Sequence, residues 1–254
     1  MHLNPVLAAL GDYPIAEIQN VARKMRDAGE RLIDFSIGDP REPTPEFIRE
    51  ALRAAVPEVS QYPTVAGLAV LRDAVAGYVE RRFGVAVDPA TQIVPVSGAK
   101  EAIFTTPLAF IDRDRNDAGL FATPGYPIHE RGIRFAGGEA IGVRLHGDFV
   151  LRAADVPADA WERLRFLWAC SPHNPTGAVA SLADIRELYE ACRRHDTLLF
   201  SDEPYIDLYE DEPPHSALEV APAGLEGVLA FFSCSKRSGM TGYRTGAIVG
   251  DAAA

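Results

Sequence analysis

The chain has 254 residues, is 47% hydrophobic and 24% charged, and carries a formal net charge of −11. Length and composition fit a globular domain with a substantial core, and the acidic balance disfavours nucleic acid and anionic membranes as partners. No run approaches the roughly 20 apolar residues of a membrane span, no leader opens the sequence, and Cys170, Cys192 and Cys234 form no C-x-x-C pair, so a cytoplasmic protein without disulfides or a metal is expected.

Ile15 to Ala28 has apolar residues at helical spacing (Ile15, Ile18, Val21, Ala22, Met25) and ends at Gly29. Arg31 to Ile37 is a short strand candidate closing in Gly38-Asp39-Pro40. Pro45 to Ala55 reads as a helix with Pro near its start. A loop holds Tyr62, and Leu68 to Phe83 reads as a strongly amphipathic helix. An alternation then sets in. Strands are predicted at Gln92–Val96, Gly119–Ala122, Ala140–Val143, Arg165–Ala169, Thr197–Phe200, Val228–Phe232 and Thr245–Val249. Helices are predicted at Ala99–Phe110, Ile128–Phe135 and Leu182–Arg194. Short apolar strands alternating with helices argue for an α/β fold with a mostly parallel sheet covered on both faces. In such sheets ligands sit beyond the carboxyl ends of the strands.

The residues just past each strand are therefore informative. Ser97-Gly98-Ala99-Lys100 opens a helix, where exposed N–H groups suit a phosphate, although an ordinary strand-to-helix turn has the same composition. Thr123-Pro-Gly-Tyr126 carries an aromatic ring on a rigid loop, fit either to stack on a planar ligand or to cap the core. Ser171-Pro-His-Asn174-Pro-Thr-Gly177 is a constrained turn with one amide donor. Ser201-Asp202-Glu203-Pro204-Tyr205 places a carboxylate at a buried strand end, which is costly unless it meets a cation or donor, or caps a helix. After Phe232 come Ser233, Lys236 and Arg244. Lys236 is one of three lysines against 22 arginines. An amine, unlike a guanidinium, can lose its proton and form a Schiff base. Together these groups match the needs of pyridoxal phosphate: a phosphate, a ring nitrogen, a ring oxygen and an aldehyde.

The motifs Asn174-Pro-Thr-Gly177, Ser201-Asp-Glu-Pro-Tyr205 and Ser233-x-Ser-Lys236 followed by Gly242-Tyr-Arg244 resemble the class I/II aminotransferases of pyridoxal-phosphate fold type I, through nearly the whole chain. The resemblance implies a seven-stranded, mostly parallel large domain over residues 41–254, with residues 1–40 as an N-terminal arm and the start of a small domain. It implies that Lys236 holds the cofactor and shuttles a proton, that Asp202 pairs with the ring nitrogen, and that Tyr126 stacks on the ring. Asn174 and Tyr205 would bond the ring oxygen. The backbone of Ala99 and Lys100, with Ser233 and Arg244, would hold the phosphate. Tyr62 would reach the neighbouring subunit's phosphate in a homodimer. Gly38, Tyr13 and Lys100 would face an amino-acid or 2-oxo-acid substrate, with glutamate as the amino donor. Ser235-Lys-Arg-Ser238 and Ser36-Ile-Gly-Asp-Pro40 resemble N-succinyldiaminopimelate aminotransferases of lysine biosynthesis; Ser97-Gly-Ala-Lys-Glu101 and Met240-Thr-Gly-Tyr-Arg244 resemble LL-diaminopimelate aminotransferases. The first is the favoured expectation.

Family members continue past the equivalent of Ala254 into the rest of the small domain and an arginine that clamps the substrate carboxylate. The sequence therefore reads as truncated, and these residues alone are expected to turn over little. A β-lyase on the same fold would share every cofactor residue, and a non-catalytic fragment stays open. Ser233-x-x-Lys236 also fits an acyl-serine motif, but its S-D-N and K-T-G partners do not occur. A fold-borrowing transcription regulator would need an N-terminal DNA-binding module, for which there is no room before Ile15.

Overall fold

The computed structural model describes residues 2, 4–10, 14–35 and 38–254. The chain divides into two units, Met1–Glu42 and Pro43–Ala254. The first unit holds α1 (Pro5–Leu10) and α2 (Pro14–Asp27). Residues 31–35 form no strand, contrary to the expectation from sequence, and Ser36 and Ile37 lie outside the described residues. Ile33 and Phe35 are 75% and 92% exposed. A strand is held by a ladder to a neighbour, and β-branched composition cannot substitute for one.

The second unit opens with α3 (Glu46–Ala55) and α4 (Ala69–Phe83). The periodicity of α4 is poorer than its sequence suggested: Val79 is fully buried while Leu68, just before it, and Val70 are largely exposed. Then come β1 (Ile93–Val96), α5 (Ala99–Thr105), α6 (Pro107–Phe110), β2 (Ala118–Thr123), α7 (Pro127–Ala136) and β3 (Glu139–Arg144). β4 (Leu164–Cys170), α8 (Leu182–Arg194), β5 (Leu198–Asp202), β6 (Val228–Ser233), α9 (Cys234–Arg237) and β7 (Gly246–Gly250) complete it. The single helix expected over Ala99–Phe110 is two, because Pro107 has no N–H for the ladder and its ring opposes the preceding turn.

The seven strands form one sheet in the order β1-β7-β6-β5-β4-β2-β3. β7 is antiparallel to both neighbours and the other pairs are parallel. The mostly parallel seven-stranded sheet expected from sequence is thus observed. β6 explains why its sequence is a continuous apolar run. Val228, Ala230 and Phe232 enter one core layer with α4 and α8, and Leu229 and Phe231 enter the other with α5 and α7. A strand buried on both faces has no polar side to show.

This layering also makes a crevice. After β2 the chain enters α7, which packs Ile128 and Ile133 on one face of the sheet; after β4 it enters α8, which packs Ile185 and Leu188 on the other. The loops leaving these adjacent strands diverge, and in open α/β sheets ligands bind in crevices of this kind.

Candidate functional site

Register brings the sequence motifs to one edge. Cys170 lies opposite Asp202, Asp202 opposite Phe231, and both Ser233 and Val96 opposite Gly246. The loops after β1, β2, β4, β5 and β6 therefore all open at the edge where antiparallel β7 begins. A Cβ on Gly246 would stand 2.5 Å from the Phe232 carbonyl oxygen and 3.2 Å from the Ala99 amide nitrogen. No side chain fits there, so the three strands close directly around the turn that opens α5.

Arg244 and Gly98 meet at this point. A Cβ on Gly98 would lie 2.3 Å from Arg244 Nη2, and Gly98 has a φ of +93°. The guanidinium thus lies against backbone that only glycine leaves open. Arg244 Nη1 also donates to the Thr241 carbonyl at 2.9 Å. Ser233 is buried and its hydroxyl accepts from Ser235 N at 3.1 Å. Ala99 is buried beside Gly98, and Lys100 is exposed one residue further along α5.

Asp202 ends β5 with 2% of its surface exposed. Its Oδ2 lies 3.0 Å from His129 Nε2, which donates to it as an N–H must to a carboxylate. The His129 ring stacks on Trp168 (centroids 4.7 Å, planes 10° apart) and meets Tyr126 edge-on at 5.6 Å. Asp202 Oδ1 is buried with no hydrogen-bond partner among the described residues. A buried carboxylate oxygen without a donor is costly unless a charged or N–H group completes it. His129 and Trp168 were not singled out from sequence. The available signal was the three-residue spacing from Tyr126 to His129, one face of a helix.

Asn174 and Tyr205 line one cleft of about 510 Å³ with His173, Gly177 and Tyr209. The Asn174 loop is pinned from within: His173 N donates to Ala178 O, Gly177 N to His173 O and Ala180 N to Ser171 Oγ, at 2.8, 2.7 and 3.0 Å. Burial, then the charge of Asp202, pushes the Tyr205 phenol up to about 12, so it remains a donor at neutral pH. Lys236 is half-buried in α9, immediately past β6. Tyr62 lies in a loop and is wholly exposed. Gly38 belongs to the first unit, and Tyr13 lies outside the described residues.

Glu203 follows Asp202 and is 1% exposed. Its Oε1 accepts from Ser201 Oγ at 2.7 Å and Ala217 N at 2.9 Å. Burial pushes its carboxyl up to about 7 from an ordinary 4.5. The folded chain then binds the proton more tightly than the unfolded chain, so stability falls as pH rises from about 4.5 to about 7. Glu203→Gln keeps the acceptor without the charge. It is expected to be more stable than the parent by roughly 2–3 kcal/mol at pH 8 and equal to it near pH 4. Denaturant titrations at both pH values check this; curves offset equally at both would refute the assignment.

Among the described residues no helix is long and apolar enough to cross a membrane, and no His, Cys, Asp and Glu cluster could hold a metal ion.

The fold is shared with known proteins. The family model described as aminotransferase class I and II matches residues 30–254. An LL-diaminopimelate aminotransferase of Nitratidesulfovibrio vulgaris is 39% identical over 251 residues, 96% of this chain and 64% of that protein. An aminotransferase structure from Neisseria meningitidis superimposes with a TM-score of 0.90 at 31% identity, covering 99% of this chain and 66% of that one. A probable N-succinyldiaminopimelate aminotransferase from Thermus thermophilus gives 0.87 at 30% identity, over 94% of this chain and 65% of its own. The chain thus spans just under two thirds of the length of the relatives it matches.

Proposed function

The chain belongs to the class I and II aminotransferases, and we propose from that premise that the protein moves an amino group between an amino acid and a 2-oxo acid on pyridoxal phosphate. The observation that carries this reading is the buried, unpartnered Oδ1 of Asp202, set at the same sheet edge as Lys236 and the Arg244–Gly98 contact. The donor set fits the cofactor group by group. Asp202 supplies the anion for a protonated ring nitrogen, with His129 holding its other oxygen. Tyr205 and Asn174 supply donors for a ring oxygen, and Tyr126 a ring to stack. Arg244, Ser233 and the Ala99–Lys100 backbone supply charge and donors for a phosphate.

When bound, pyridoxal phosphate supplies an electron sink for the substrate α-carbon. The chain's own residues do the rest. Lys236 Nζ would hold the cofactor and would serve the substrate proton as general base and acid. Asp202 would face the ring nitrogen and favour its protonated form.

The substrate we assign is a diaminopimelate-type amino acid. By its motifs alone the chain favoured the N-succinyl form. The LL form is better supported, because the relative sharing 39% identity bears that name. Gly38, Tyr13 and Lys100 are assigned to the substrate side.

We assign a homodimer as the active unit. Phe47, Leu52, Val56, Val59, Tyr62 and Val65 are all more than half exposed within one short stretch, and exposed apolar surface of this kind marks interaction sites. Sedimentation is expected to give twice the chain mass; a monomer at micromolar concentration would count against Tyr62 as a partner-site residue.

The main test is reductive trapping. Borohydride added with pyridoxal phosphate should fix about one cofactor per chain, and peptide mapping should find it on Lys236. Adding LL-diaminopimelate before the reductant should protect the lysine; equal protection by the N-succinyl form alone would reverse the substrate assignment. A label spread over Lys24 and Lys100 would sink the reading.

A further inference from the structure

Arg237 follows Lys236 and ends α9, a helix of only four residues. So short a helix cannot hold its own orientation, because one turn forms too few bonds to offset the ordering of its backbone. Around it, Ser235 N donates to Ser233 Oγ at 3.1 Å, Cys234 N to Thr245 O at 3.1 Å, Ser238 N to Cys234 O at 3.3 Å and Thr241 Oγ1 to Ser235 O at 3.3 Å. α9 is not packed solid on the side of α4. A cavity of about 190 Å³ lies there, lined by Tyr78, Asp207, Phe232, Ser233, Cys234 and Arg237 among others.

Across this cavity runs a clamp. Arg237 Nε donates to Asp207 Oδ2 at 2.9 Å, and the guanidinium sits 4.4 Å over the Tyr78 ring. Tyr78 Oη donates to the same oxygen at 2.9 Å, and Arg82 Nε donates to Asp207 Oδ1 at 3.1 Å. Arg82 is itself fixed, donating through Nη2 to the carbonyls of Ile206 and Pro214 at 3.1 Å each. Burial, then Asp207, holds the Tyr78 phenol above its usual range, so it stays a donor. The side chain of Asp207 is only 15% exposed and that of Arg237 is 37% exposed, so the carboxylate end of the pair is the shielded one.

We propose that the Asp207–Arg237 clamp is the positioning device for Lys236. It rests on the reading of Lys236 as the cofactor lysine. Successive side chains on a helix point about 100° apart. Holding Arg237 toward α4 therefore sets the rotation of α9 and with it the direction in which Lys236 leaves the backbone. Asp207 and Arg237 are positioning residues: they act through the lysine.

The test uses the full chain with Arg237→Gln, Arg237→Lys and Tyr78→Phe. In cofactor-free protein, hydrogen exchange of a peptide spanning residues 233–238 is expected to quicken tenfold or more in Arg237→Gln, with peptides of β4 and β5 unchanged. Attachment of pyridoxal phosphate, followed by absorbance, should slow about tenfold, while borohydride still fixes it on Lys236. Arg237→Lys, which keeps the charge but loses the planar stack, should fall between. Tyr78→Phe removes one bond to Asp207 and should shift both readouts in the same direction by less; it remains informative if Arg237→Gln does not fold. Unchanged exchange and attachment in a folded Arg237→Gln overturns the clamp. Absence of label on Lys236 in the unaltered chain overturns the cofactor reading instead, and the exchange result still stands by itself.

Discussion

Lys236→Ala is expected to reduce borohydride-fixed pyridoxal phosphate from about one per chain to background, a fall of at least about a hundredfold. The other two lysines are Lys24, on α2, and Lys100, exposed on α5. Methylamine cannot restore covalent retention, because the tie to the chain is what alanine removes. Any turnover should fall by on the order of 10²–10⁴-fold from loss of the positioned acid and base alone. The folded state should be little affected, since Lys236 is only half-buried. Retention of fixed cofactor by a folded Lys236→Ala would reject the site.

Asp202→Asn should separate stability from function. The amide can still face His129 Nε2, but the negative charge is gone. In cofactor-free protein that change is expected to be neutral or stabilising, because a buried carboxylate with one unpartnered oxygen is removed. With cofactor the sign reverses. Breaking a buried charged pair by removing one partner costs about 3–5 kcal/mol, which is roughly a 10²–10⁴-fold weaker dissociation constant for pyridoxal phosphate. Thermal unfolding without cofactor and an absorbance titration with it give the two numbers. A large loss of stability in the cofactor-free variant, with unchanged cofactor affinity, would make Asp202 a structural residue.

Much of this site could be read locally. Each strand of the sheet is a short apolar run ended by a turn, and the candidate site residues cluster there: Ser97–Lys100, Tyr126, Asn174, Asp202 and Ser233 all lie within four residues of a strand end. The failures were also physical. Arg31–Ile37 has strand composition, but residues 31–35 join no sheet ladder. Pro107 broke a helix whose apolar spacing ran through it. His129 looked like one more residue of a helix, because its partner Asp202 lies 73 positions away in sequence.

The sequence by itself determined the alternation of strands and helices, the doubly buried sheet and the chemical types at its edge. These depend on side-chain period and turn composition, which a few consecutive residues carry. Only the tertiary structure decided that β7 runs antiparallel between β1 and β6. That insertion sets Val96 and Ser233 opposite the same glycine and brings Arg244 against Gly98. Only the tertiary structure, too, joined Tyr78, Arg82, Asp207 and Arg237, drawn from α4 and from the segments after β5 and β6. Contacts of that kind are set by which elements share a face once the core has packed, and no local pattern in the chain records them.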